Sequence, residues 1–352
     1  MPPDSPPPRS PDPAAPLAHW VRRRLVWLLV ATYVAAAVAP GPGVWLRGLA
    51  PEAEGPAPIR FSLVLVGVLL FCGAASVDLG KLRELAQRPL GLLLALAGAW
   101  LPPVVVVAAW GWLAPLWLDP SAAAALVVGL ALAGAMPVAN SAVAWTHQSG
   151  GALAWALGLV VLSICLCPWA TPVLLWAMGF ALNEAMAARA DELVSRFTGI
   201  VFVVWVLGPT LVGFATRRAL GGERLDAARH VLALVSAAAL LLLNYVNAAV
   251  SLPRVLAEPD WPLLATAVAA ALSLPIACAT PAARLATWAG LARAGRIAWV
   301  YSLGMKNTGL ALGLIGATMG DQPVAVLAIL AVTLMQHGVA GAAHALFARR
   351  PA

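Results

Sequence analysis

The sequence predicts an all-α polytopic membrane protein of ten transmembrane helices, arranged as two five-helix repeats of opposite orientation. Of its 352 residues 62% are hydrophobic and 11% charged, where a soluble domain carries about 25% charged. The apolar residues fall in blocks long enough to cross a bilayer as helices. Basic residues cluster between those blocks, and the alternation of a barrel strand is absent.

Residues 1–17 ("MPPDSPPPRSPDPAAPL") are proline-rich and read as a disordered tail. The following "RRRLVWLLVATYVAAAVAPGPG" has the shape of a signal peptide. With so many apolar blocks after it, it reads as the first span. The spans fall at about 24–40, 61–79, 90–113, 121–146, 152–179, 197–217, 228–249, 261–280, 293–318 and 322–346. The first repeat covers 18–180, the second 181–347, and 348–352 forms a short tail.

With the N-terminus placed in the cytoplasm, 16 of the 22 Lys and Arg residues fall on the inner side and 5 on the outer, with Lys306 alone inside a span. That bias puts both termini in the cytoplasm and the protein in the plasma (inner) membrane. Trp20, Trp45, Trp117, Trp261 and Trp288 lie near span ends and read as an interfacial belt.

The net charge of +7 is a topology signal rather than a nucleic-acid footprint. All four cysteines lie inside apolar blocks, where cysteine acts as a small hydrophobe; neither a disulfide nor a metal site is expected. HExxH, paired aspartates for a metal–diphosphate and GxSxG are all missing, so no enzyme is expected. Asp78 reads as a helix-end residue, and Asn244 and Asn247 as contacts between helices.

Two spans are interrupted. The fourth contains "GAMPVANSAVAWT" (134–146), where Pro137 removes a backbone donor and Asn140 and Ser141 follow within a turn. The ninth contains "SLGMKNTGLALG" (302–313), with Gly304 and Gly309 around Lys306, Asn307 and Thr308. Each is the fourth span of its repeat. Interrupted helices at matching positions of inverted halves point to a transporter's binding site. Half-helices starting after each break aim N–H groups and positive dipole ends inward, which favours an anion.

Four stretches in order resemble the bile acid:sodium symporter family, over about residues 24–347. They are "VGVLLFCGAASVDLGKLRELAQRP", the run from "GAMPVANSAVAWTHQSGG" through Ser163 and Pro168, "SLGMKNTGLALG", and "MQHGVAGA" with His337. The resemblance implies a panel domain and a core domain, the latter holding two crossing discontinuous helices. It implies transport of organic anions with two sodium ions by alternating access. It also implies substrate contacts at Asn140, Ser141, Asn307, Thr308 and His337, with Pro137 and Gly304 at the helix breaks.

The sodium-ligand positions depart from the family. Its shared glutamate falls on Ser302 and its glutamine on Lys306. Its Ser-Asn pair falls on Ala142 and Val143, its two helix-five hydroxyls on Ala156 and Val160, and its helix-three glutamine on Gly98. A hard cation needs several oxygen ligands. The expectation is therefore a sodium-independent secondary transporter of a small organic anion, with no cofactor. The Lys306 ammonium stands in for the cation, with Ser302 beside it, and binds carbonyls freed at the two breaks. A sodium-coupled symporter with altered ligands and a non-transporting sensor of the same fold stay open. So do proton coupling through Lys306, the substrate, the direction of transport and the oligomeric state.

Overall fold

The computed structural model describes residues 13–49, 60–76, 87–180, 203–318 and 322–349. Among these the chain is helical, apart from connections and one isolated bridge between Val138 and Lys306. The helices are α1 (Ala15–Val38), α2 (Gly41–Gly48), α3 (Phe61–Ala75), α4 (Pro89–Leu113), α5 (Pro120–Ala135), α6 (Ser141–Gln148) and α7 (Leu153–Phe180). They continue with α8 (Gly208–Leu220), α9 (Gly222–Ala227), α10 (Arg229–Ala257), α11 (Trp261–Trp288), α12 (Arg293–Gly304), α13 (Thr308–Thr318) and α14 (Pro323–Ala348).

Five helices, α4, α7, α10, α11 and α14, are each long and apolar enough to cross a membrane. Helices α1 and α2 are apolar enough only when taken together, and they bend by 91° across their junction, as a broken span or a re-entrant loop does. Helices α3 and α5 are apolar but shorter. The first helix begins at Ala15, well before the expected span start and inside the expected tail. Residues 1–12, 77–79 with Asp78, 197–202 and 350–352 lie outside the described residues.

Local chemistry sets many of the starts. Proline stands in the first turn of α4, α5, α8, α11 and α14, where its missing N–H costs nothing. Asp119 caps α5 by accepting from the Ser121 and Ala122 amides, and Asp260 caps α11 by accepting from Leu263. The belt tryptophans are all half or more exposed, and Trp117 turns its indole N–H to the Thr266 hydroxyl at 2.8 Å.

Helix α1 packs along α10, and α3 sits between α8 and α10. Helix α14 lies against α5, α10 and α11, and α11 also meets α4 and α12. Asn244 joins elements as expected, accepting from the Tyr33 hydroxyl of α1 at 2.9 Å. Glycines allow two close approaches. Gly129 of α5 sits directly on the Ala325 backbone of α14. Along α13, Gly309 faces Leu69 and Leu240, Gly313 faces Val66, and Gly316 faces Asn247 and Ser62, which makes a side-chain-free seam toward α3 and α10.

Gly129→Val should lower the melting temperature strongly, because a Cβ there meets backbone rather than a movable side chain. Overpacking of this kind costs about 1–3 kcal/mol or more. Gly338→Ala, with nothing within 4 Å of the added carbon, should leave the melt in detergent unchanged.

Candidate functional site

Both interruptions are present, and they satisfy each other. Helix α5 ends at Ala135 and α6 begins at Ser141; α12 ends at Gly304 and α13 begins at Thr308. Unwound backbone at membrane depth must find partners inside the protein. The Asn307 N–H donates to the Pro137 carbonyl at 2.8 Å, and the Ala139 N–H donates to the Met305 carbonyl at 3.0 Å. Val138 and Lys306 are thus the facing central residues of a one-rung antiparallel bridge.

Each central residue is held by a side chain from the next long helix. The Val138 N–H donates to Ser163 Oγ of α7 at 3.0 Å, and that hydroxyl donates onward to the Val160 carbonyl. On the other side the Gln336 amide of α14 grips the Lys306 peptide twice. Its Oε1 accepts from the Lys306 N–H at 2.8 Å, and its Nε2 donates to the Lys306 carbonyl at 3.1 Å. The same Nε2 reaches Thr308 Oγ1 at 3.3 Å. Thr171 of α7 closes the end of α5 by donating to the Ala135 carbonyl at 3.0 Å.

Lys306 is 1% exposed. Its ammonium does not go to the breaks, which corrects the sequence expectation; the Pro137, Met305 and Lys306 carbonyls there accept from backbone N–H groups. It donates instead to the Ala99 carbonyl of α4. The physical reason is Pro103, four residues on inside the same helix. Proline has no N–H to return to residue i−4, so Ala99 is left with an unfilled acceptor. The ammonium fills it.

The positions that the resemblance matches to sodium ligands are buried, except Val143, which is half-buried. Ala142, Ala156 and Val160 are buried apolar side chains. A Cβ at Gly98 would lie 2.6 Å from Leu303 Cδ2 and 2.9 Å from Leu285 Cδ1, so a side chain there requires those two leucine ends to shift. Ser302 is fully buried one turn before Lys306, and its Oγ has no hydrogen-bond partner among the described residues.

The expected substrate residues divide. Asn140, Ser141, Asn307 and Thr308 lie together at the crossing. Asn140 Nδ2 approaches the Leu69 carbonyl of α3 at 3.5 Å, and Asn307 Oδ1 caps α13 by accepting from the Leu310 N–H at 3.1 Å. Ser141 is the partly exposed first residue of α6, and Thr308 is buried. Pro137 lies within the first break. Gly304 closes α12, where its missing Cβ lets the helix approach Ala279 and Pro275 of α11. His337 joins none of them by a hydrogen bond: Nδ1 faces its own Thr333 carbonyl at 2.8 Å, and Nε2 has no partner among the described residues. Part of the expected anion-binding donor capacity is spent internally, since the Ala142, Val143, Thr308 and Leu310 amides all have protein acceptors.

Sequence reasoning missed Gln336 and the role of Ala99. A glutamine in the middle of the mostly apolar last span signals the first. The Pro102–Pro103 pair, which frees the carbonyls four residues back, signals the second.

A family model described as the sodium bile acid symporter family matches residues 63–258, more than half of the chain. The match takes in the first break and stops short of Lys306. No curated protein matches the chain.

Gln336→Leu orphans the Lys306 N–H and takes one donor each from the Lys306 carbonyl, which keeps the Thr308 N–H, and from Thr308 Oγ1. At about 1–3 kcal/mol for each buried unpaired group, it should lower the melting temperature more than Ser163→Ala, which orphans only the Val138 N–H. Equal losses in thermal melts would show that the Gln336 clamp is worth no more than a single bond.

Proposed function

Because the chain belongs to the sodium bile acid symporter family, we propose that it is a secondary transporter of a small organic anion, working by alternating access without sodium. In this reading ten spans form two inverted five-helix repeats, divided into a panel and a core, in the plasma membrane with both ends cytoplasmic. The likeness of the two breaks supports it. Each pairs through residues either side of a central one, and each central residue is held from the next long helix.

The buried Lys306 ammonium carries the sodium-free part. An ammonium at the bilayer centre costs about 2.5–3.5 kcal/mol on the milder insertion scale. A hydrogen bond from a charged donor returns about 1.5–3 kcal/mol, and it also removes the penalty of an orphaned Ala99 carbonyl. The tethered cation is therefore tolerable where it stands. It supplies one fixed positive charge beside a crossing whose sodium-ligand positions are filled by alanine, valine and glycine. Asn140, Ser141, Asn307 and Thr308 would present polar groups to the anion, with His337 joining them when the helices move. Transport rather than catalysis fits the family.

The purified protein should melt at the same temperature in sodium chloride and in potassium chloride of matched ionic strength. A sodium symporter at a hundredfold excess over its Kd would gain about 2.7 kcal/mol, several degrees in Tm. A saturable, sodium-specific rise would make the chain a sodium-coupled symporter with unusual ligands. Lys306→Met should lower the melt in both salts alike, by the cost of the abandoned carbonyl.

A further inference from the structure

A second cluster of charge lies away from the crossing, where α1 and α10 begin. The two helices run parallel. Tyr33 meets Asn244, the Tyr245 hydroxyl donates to the Ala39 carbonyl, and Gly43 of α2 lies against Ala249. Counting back along both helices from the Tyr33–Asn244 contact sets Arg22 roughly level with residue 233, so that Arg229 lies about one turn away. Arg22, Arg23, Arg24 and Arg229 therefore share one end of the helix pair. Arg22 is half-buried and the other three are exposed.

Among the described residues no carboxylate offsets this charge. The first turns of α1 and α10 hold no acid, and α10 opens on Arg229 with no side-chain cap. A cation at a helix start works against the helix dipole. Among the described residues no carboxylate pairs with any of the four arginines. Asp226, the nearby acid of α9, is held at 3.1 Å by Arg217, whose second nitrogen donates to the Ala75 carbonyl. Arg229 is a like-charged neighbour of Arg22. The same stretch of α1 carries Trp20 and Trp27, 51% and 69% exposed, residues suited to the headgroup level of a bilayer. The distribution of Lys and Arg assigns this end to the cytoplasmic leaflet, and basic pockets between helices on that side take anionic headgroups.

We propose that the junction of α1 and α10 is a binding site for the phosphate headgroup of an anionic phospholipid, gripped between Arg22 and Arg229. Arg23 and Arg24 add attraction from the exposed side, and Trp20 and Trp27 flank the acyl chains. The site rests on rigid supports, because the α1–α10 packing fixes Arg22 and the Arg217–Asp226 pair ties down the segment that leads into α10.

The test is native mass spectrometry of the full-length protein in detergent mixed with phosphatidylglycerol or phosphatidylcholine at equal concentration, with thermal melts alongside. Phosphatidylglycerol should be retained and should raise the melting temperature; phosphatidylcholine should do neither. Each arginine near a charged membrane surface is worth about a fivefold change in affinity. Arg22→Gln with Arg229→Gln should therefore weaken phosphatidylglycerol retention by about 25-fold. Arg229→Gln alone, at an exposed position that cannot compromise folding through packing, should weaken it about fivefold. Arg254→Gln, at the other end of α10, should change nothing. Equal retention of the two lipids, or of phosphatidylglycerol by the wild type and the Arg229 variant, overturns the proposal. So does a melting-point rise with inorganic phosphate equal to that with phosphatidylglycerol, which would make this a site for the free ion.

Discussion

The structure depends on how two lengths of unwound backbone are kept from going unpaired inside an apolar protein. Helices satisfy their own peptides, but residues 136–140 and 305–307 do not. Each stretch is the other's partner: Pro137 and Ala139 on one strand meet Asn307 and Met305 on the other. Ser163, Thr171 and Gln336 take three further groups, the Val138 N–H, the Ala135 carbonyl and the Lys306 N–H. Polar side chains in α7 and α14 are thus consequences of the breaks. Without them, the Ala135 carbonyl and the Val138 and Lys306 N–H groups would go unpaired at about 1–3 kcal/mol each, a large share of what holds a protein folded.

Lys306 follows the same logic one shell outward. Its backbone belongs to the crossing, while its side chain leaves it and repairs a different defect, the carbonyl that Pro103 strands in α4. One residue therefore ties the crossing to the helix beside it. The packing has closed around this arrangement. The ends of Leu303 and Leu285 stand within 3.0 Å of where a Cβ at residue 98 would lie, so any side chain there would have to displace them.

What the sequence revealed was mostly what a single segment can reveal. Pro137, Gly304 and the polar residues near them announce interrupted helices without any knowledge of their neighbours. Both breaks lie where the sequence put them, and the apolar blocks show the all-helical membrane class. Pairings between distant segments were not legible. Gln336 lies 30 residues from Lys306, and adjacent His337 drew attention as the more obviously chemical side chain. In the structure the neighbours face different partners, since successive residues on a helix point about 100° apart. Ala99 was half legible: two prolines say that a carbonyl is free, but not which donor will reach it. The sides of the membrane, by contrast, were read from charge alone.

The glycine seam along α13 has a mechanical consequence. Because the two breaks are mutually paired, pulling them apart would strand several buried peptides at once, so α5–α6 and α12–α13 are obliged to travel as one piece. Their boundary with α3 and α10 is of another kind. Gly309, Gly313 and Gly316 offer no knobs to lock into holes. They are the holes instead, filled by Val66 and Leu69 of α3 and Asn247 of α10, so any relative movement there would have to lift those side chains out, and Arg47 of α2 adds a tie to the Gly316 carbonyl at 3.1 Å.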